Sequence, residues 1–260
     1  MKRERKKKNA AGVNQKRHIK NNTEKFSGKT KILFTLLIAF ITFISFFPTF
    51  DNEITTWDDE FYINTNPYLK DLSFENVKTL FDTGTYYMGN YHPLAMISLS
   101  VDYAIGGEDA EGNVNPFMFH FTNFILYLLT VTAVLYFIYI LFKDFKLAAA
   151  AALLFAVHTL HVESVAWISE RKDVLYAFFF VLSLIAYVKY TDNGKIKFYV
   201  LSLLLFVLSL FSKGQAVSLA VTLVLIDYFR GRKLIDKKLI LEKIPFFILA
   251  LVFGLIAVGA

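Results

Sequence analysis

Apolar runs separated by charged segments organise the whole chain. Residues 32–48 and 117–142 are apolar enough to cross a bilayer, which takes about 20 residues of helix. Between them lies a polar stretch, 49–116, with two helical periodicities. Phe74, Val77, Leu80 and Phe81 form one; Leu94, Ile97, Ser98, Val101 and Ile105 form the other, opened by Pro93 at a first-turn position. Amphipathic helices flanking spans are expected to lie at the membrane surface, the alternative being two helices of a small soluble subdomain. After residue 142 the runs shorten. Residues 147–157, 174–188, 198–211 and 216–226 supply only 11 to 15 residues each, and a seventh run begins at 244. The pattern predicts an all-α, polytopic membrane protein of about seven transmembrane helices, with two amphipathic surface helices in its first outer loop.

Charge then assigns the sides. Lys and Arg favour the cytoplasmic side of short loops. With the N-terminus inside, the inner segments hold 23 of the 28 basic residues and the outer segments 15 of the 22 acids. The outer loop 49–116 alone carries twelve acids against Lys70 and Lys78. The missing length of the four short runs falls at their outer ends each time. Polar helix ends at membrane depth require a protein-lined or water-filled cavity, and this one would open toward the acidic loop. Residues 1–31 predict a disordered basic cytoplasmic tail rather than a removed leader, since Phe46-Phe47-Pro48 makes a poor cleavage site. The domain division is therefore a tail, 1–31, and a membrane domain, 32–260.

Composition agrees: 55% of residues are apolar and 17% aromatic, beyond the range of ordinary soluble domains. The absence of cysteine excludes disulfides and thiolate metal sites. The net charge of +6 comes from the segments that orient the chain, so it implies membrane lipids and no nucleic acid as partners.

The candidate chemistry sits on the outer side. Trp57-Asp58-Asp59-Glu60 places three mutually repelling carboxylates just after the first span, either as a solvated turn or as a working acidic site. Arg171, Lys172 and Lys213 are the outer cations near the spans. A planar guanidinium suits phosphate oxygens and an ammonium adds a point charge. A phosphate held at membrane depth belongs to a phospholipid or a polyprenyl phosphate. Paired with a carboxylate, such a clamp suggests group transfer: the carboxylate takes a proton from an acceptor hydroxyl while the cations stabilise the departing phosphate. The plainer alternative is that Arg171 and Lys213 neutralise Glu163, Glu170 or Asp173. No cofactor is required, although a divalent cation is a candidate at Asp58/Asp59, and His158, His161 and Glu163 are candidate ligands without a recognised zinc spacing.

These residues carry a resemblance. Trp57-Asp58-Asp59 is similar to the acidic motif in the first outer loop of C-type (GT-C) glycosyltransferases. Tyr91-His92-Pro93-Leu94, His120-Phe-Thr-Asn123, His158-Thr-Leu-His161-Val-Glu163-Ser-Val-Ala-Trp167, Arg171-Lys-Asp173 and Ser212-Lys213 resemble one subgroup, the transmembrane and tetratricopeptide-repeat (TPR) O-mannosyltransferases and their bacterial relatives. The match runs in order from about residue 55 to 232. The resemblance implies a polyprenyl- or dolichyl-phosphate sugar donor and an inverting transfer to a protein or glycan hydroxyl on the extracytoplasmic face. It makes Asp58 the base, with Asp59 beside it, and Arg171 and Lys213 contacts to the donor phosphate. His92, His120, His158, His161, Glu163 and Asp173 are implied to support substrate. The position of His92 is more often Arg in these relatives, and that of Gly214 more often Glu, which bears on donor or acceptor details. Further spans and TPR repeats are expected beyond residue 260, and a bacterial inner membrane is the expected location. A transporter or lipid flippase relaying protons through His158, His161, Glu163 and Asp173, or a non-catalytic anchor of a repeat domain, are the rival readings.

Overall fold

The computed structural model describes residues 26–108 and 112–259, so most of the expected tail lies outside the described residues. Helix α1 (Gly28–Phe46) starts where Ser27 Oγ accepts the Thr30 N–H, and it runs on through a 3₁₀ turn to Asp51. The acidic loop follows, containing α2 (Phe74–Leu80) and α3 (Pro93–Gly106). Helix α4 (Phe117–Phe142) turns sharply at Lys143, in the left-handed region at φ 58°, into α5 (Phe145–Ala156), whose first N–H groups are capped by Asp144. A short α6 (His161–Ala166) and a 3₁₀ turn at Ile168–Glu170 lead into α7 (Arg171–Asn193). Gly194, at φ 69°, closes α7 in a conformation that glycine adopts freely, and α8 (Ile196–Ser212) packs back along it. A 3₁₀ turn, α9 (Leu219–Phe229) and α10 (Lys237–Val258) complete the chain. The protein is an all-α integral membrane protein, and among the described residues there are only isolated β-bridges.

Three apolar clusters hold these elements. One joins α7, α8, α9 and α10 around Tyr187, Phe206, Leu210, Leu223 and Phe246. Another joins α1, α4 and α5, where Ala148, Ala152 and Ala156 form a fully buried i, i+4 stripe that allows close helix approach. The last roots the acidic loop on α4 and the 167–170 turn through Tyr62, Ile63, Leu69, Leu99, Phe119 and Ile168.

Two expectations are sharpened. Among the described residues four helical stretches are long and apolar enough to cross by themselves, Gly28–Asp51, Phe117–Phe142, Ile168–Asn193 and Lys237–Val258, and shorter apolar helices accompany them. The apolar run at 174–188 lies within a 26-residue stretch because its polar approach, Ile168 to Asp173, is also helical, with its charges paired. Helices α5, α8 and α9 stay short at 12, 17 and 11 residues, and α5 is only about 18 Å long against the roughly 30 Å of a hydrocarbon core. The second change concerns α3. Its buried face is Ala95, Met96, Leu99, Ser100 and Asp102, whereas Val101 and Ile105 of the predicted stripe are exposed. The helix is apolar on two faces, one packed on the protein and one free.

At the end of the bundle opposite the acidic loop, a buried ionic network ties α7, α9 and α10 together. Asp227 accepts from Tyr187 Oη at 2.8 Å and Arg232 Nη1 at 2.8 Å, and pairs with Lys243 at 2.5 Å. Arg232 reaches on to Glu242 at 2.8 Å, which also accepts from Tyr190 Oη. Two cations meet two carboxylates, so no buried charge stands alone.

Candidate functional site

At the acidic end the Asp59 carboxylate helps fasten the loop to the bundle. Asp59 is 1% exposed. Its Oδ1 accepts the Ser169 N–H at 2.8 Å, and its Oδ2 accepts both the N–H and the hydroxyl of Thr55 at 3.3 and 3.1 Å. Trp167 Nε1 donates to the same Thr55 hydroxyl at 3.2 Å. Charge-assisted hydrogen bonds of this kind explain how the carboxylate is retained in the interior. Asp59, expected as the second acid of the catalytic pair, joins residue 55 to residue 169. Its neighbour Asp58 is half-buried and makes no hydrogen bond or ion pair among the described residues. One side chain of the run is structural and the next is free.

Inward of Asp58 lies a set of buried polar groups without partners. Tyr62 Oη, both ring nitrogens of His92 and Ser169 Oγ make no hydrogen bond among the described residues. Tyr62 sits on a single π-helical turn, Glu60–Asn64, and its ring lies 5.5 Å from that of His92. Lys172 Nζ stands 5.1 Å over the Tyr62 ring. An unpartnered buried polar group costs about 1–3 kcal/mol, so three such residues together mark a place shaped for something other than stability. Burial and then the nearby Asp58 and Glu170 charges push the Tyr62 hydroxyl well above its ordinary value. Burial, reinforced by Lys172 and Lys213 and opposed by Glu170, lowers His92 to about 3. His92 is therefore a neutral imidazole throughout the physiological range.

The neutral state of His92 has a measurable consequence. An unfolded histidine titrates near 6.5, so between that value and about 3 the unfolded chain binds the extra proton. Stability from this group is complete above pH 6.5 and declines as the pH falls toward 3. Replacing His92 by Gln is expected to flatten the stability–pH profile between 6.5 and 5, by up to about 1.4 kcal/mol per pH unit. Denaturant unfolding of the purified protein at stepped pH checks this; parallel profiles for the two proteins would refute it.

The cations form a row along the start of α7 and the end of α8. Lys172 pairs with Glu170 at 2.9 Å and donates to the Ser169 carbonyl at 3.0 Å. Lys213 pairs with Glu170 at 3.4 Å and with Asp173, whose other oxygen accepts from Ser164 Oγ at 3.1 Å. Two ammoniums and two carboxylates therefore interlock beside His92. A cavity of about 160 Å3 between α4, α5, α6 and α7 reaches Asp173 past Phe155, His161 and Val174.

Arg171 is placed elsewhere. Its guanidinium is fully buried and donates to Asp102 at 2.5 Å, Asn123 at 2.5 Å, Ser98 at 2.7 Å and the Phe119 carbonyl at 2.8 Å. Expected at the donor phosphate, the guanidinium has no exposed surface here and joins α3, α4 and α7. The remaining candidates divide. His120 is buried near Asp59 and Arg171, and Asn123, which holds Arg171, also donates to the Val165 and Trp167 carbonyls. His161 is bonded to Tyr127 Oη and the Phe155 carbonyl at 2.9 and 2.8 Å. His158 and Glu163 are exposed, apart from the Asp58–Tyr62–His92 cluster. Among the described residues no group of three or more His, Asp or Glu side chains converges as a metal site, and the Asp59 oxygens accept three hydrogen bonds. Sequence reasoning did not single out Tyr62, Ser169 or Asp102. The first two had no motif, and Asp102 reads as one more acid of the loop.

The chain is similar to protein O-mannosyl-transferase TMTC1 of Mus musculus, with 38% identity over 106 residues, 40% of this chain and 11% of that protein. Protein O-mannosyl-transferase TMTC2 of Homo sapiens is 36% identical over 104 residues, 40% of this chain and 12% of that protein. Protein O-mannosyl-transferase TMTC4 of Mus musculus is 25% identical over 170 residues, 58% of this chain and 22% of that protein. The matched segment is therefore a small part of each of these relatives. No family model and no solved structure matches the chain.

Proposed function

We propose that the acidic end of this bundle transfers a mannose-like sugar from a polyprenyl-phosphate donor to a hydroxyl of a protein or glycan, with inversion, on the extracytoplasmic face of a bacterial inner membrane. One observation carries the reading above the rest. Asp58, a half-buried carboxylate without a partner, stands beside the buried and unpartnered Tyr62 and His92, next to the cations Lys172 and Lys213. The similarity to proteins named O-mannosyl-transferases supports the same chemistry.

In this reading Asp58 accepts the proton of the acceptor hydroxyl as its oxygen attacks the anomeric carbon. The bond from that carbon to the phosphate oxygen breaks, and the phosphate leaves with the electron pair. Lys172 and Lys213 offset the charge that grows on it, most effectively where water is excluded. Neutral His92 and the Tyr62 hydroxyl offer hydrogen bonds without adding charge. The phosphate competes with Glu170 and Asp173 for the two ammoniums, and the cavity beside Asp173 gives the lipid an apolar approach. Arg171 takes no part in the chemistry and holds α3, α4 and α7 in register.

The test is incubation of the full-length protein, reconstituted in nanodiscs, with a panel of polyprenyl-phosphate hexoses and mass spectrometry of the lipid products. Release of the lipid phosphate from one donor, with a hexose added to a hydroxylated acceptor, is the expected result. Intact donors throughout the panel would refute the proposal.

A further inference from the structure

Asp58 has two sides. Its inner side faces Tyr62, whose ring lies under Lys172 and near Glu170. On the outer side stands Trp57, 74% exposed, packed edge-to-face at 6.4 Å against Trp167. These are the chain's two tryptophans. Phe61, 49% exposed, lies four residues on, within the π-helical turn Glu60–Asn64. The pair is rigidly mounted, because Trp167 is tethered to the Thr55 hydroxyl that also holds Asp59. A large aromatic surface left in water on a fixed support is the kind of residue that anchors a partner, since covering it recovers apolar area at little entropic cost.

Charge narrows the partner. The loop that carries Trp57 holds twelve acids and two lysines. Glu53 is exposed and Glu60 half-buried on either side of the tryptophan, and Asp58 adjoins it without a counter-ion among the described residues. A cationic segment is drawn to such a surface and an acidic one repelled.

We infer that Trp57 and Trp167 form the docking surface for a basic polypeptide segment bearing aromatic side chains beside its hydroxyl residues, laid across the outer side of Asp58. The inference rests on the proposed transferase reading for the purpose of that docking, whereas the docking itself is measurable without turnover. The two tryptophans lie in the surface, so their fluorescence reports its occupancy directly.

The full chain in nanodiscs is titrated with a dodecapeptide of Lys, Thr and Tyr, and separately with the same peptide carrying Glu in place of Lys. The expected result is a saturable blue shift of emission with the lysine peptide, and none with the glutamate peptide. Trp57→Ala is expected to weaken binding of the lysine peptide about tenfold or more, as central aromatic anchors do. That loss is read by the remaining Trp167 signal and by calorimetry. Trp57→Phe, which keeps an aromatic ring, is expected to retain most of the affinity. Equal binding of the two peptides, or unchanged affinity in Trp57→Ala, would overturn the inference. Emission already blue-shifted before peptide and unresponsive to it would also overturn it, assigning Trp57 to the lipid interface instead. Peptide binding with no donor consumed would leave the docking surface standing and the transferase reading refuted.

Discussion

Replacing Asp58 by Asn is expected to lower sugar transfer by about 10²- to 10⁴-fold, the range over which a positioned general base contributes. The substitution preserves shape and removes the ability to accept a proton. Asp58 makes no hydrogen bond or ion pair among the described residues, so the change disturbs no contact that holds the fold. Expression, membrane insertion and the unfolding midpoint should therefore match the wild-type protein. The measurement is initial rate with the active donor, alongside thermal unfolding of both proteins in the same detergent. Wild-type turnover in Asp58→Asn would remove this residue as the base and, with it, the main support for the transferase reading.

Asp59 supplies the contrast. Its two oxygens take three hydrogen bonds from Thr55 and Ser169, so its loss should loosen the acidic loop before it touches any chemistry. Two adjacent aspartates thus differ: Asp59 is a fastener, and Asp58, without a hydrogen bond or ion pair among the described residues, is the one the proposed reading makes the base. Nothing in the dipeptide distinguishes them, because the difference arises from where the 167–170 turn comes to rest.

Local patterns were readable from the chain wherever the physics was local. The apolar run 117–142 became α4 with the same limits, and Pro93 opened α3 at the position its missing N–H favours. The buried face of α3 was misjudged because both faces are apolar, and which one packs depends on Phe119 and Ile168, which are distant in sequence. The candidate site was legible as residue types converging on one end. Its inner division was not. Arg171 finds Asp102 69 positions away, whereas the nearer Glu170 goes to Lys172 and Lys213. Spacing along a single helix cannot reveal an ion pair that tertiary packing creates. Tyr62 and Ser169 were missed for a related reason: a lone hydroxyl in an unremarkable stretch gains meaning only when burial deprives it of water.

Replacing Arg171 by Ala is expected to destabilise the protein by about 3–5 kcal/mol, the cost of leaving a buried carboxylate without its partner. Asp102 is 3% exposed and would retain only the Thr122 hydroxyl at 2.7 Å. Asn123, Ser98 and the Phe119 carbonyl would each lose a donor as well. Such a loss is large against the roughly 5–15 kcal/mol that holds a typical domain together. Denaturant titration in detergent, followed through Trp57 and Trp167, should show the acidic end unfolding first. Replacing both charges with apolar side chains of similar volume, Arg171→Met with Asp102→Leu, should recover much of the stability, since no lone charge then remains. Lys213→Ala provides the opposite signature. Its ammonium is 17% exposed and pairs with Asp173 and Glu170, so stability should fall by less than for the fully buried Arg171, while on the proposed reading donor use falls sharply, because one of the two cations assigned to the phosphate is gone. An Arg171→Ala protein of wild-type stability whose only defect was weaker donor binding would place the guanidinium at the phosphate after all.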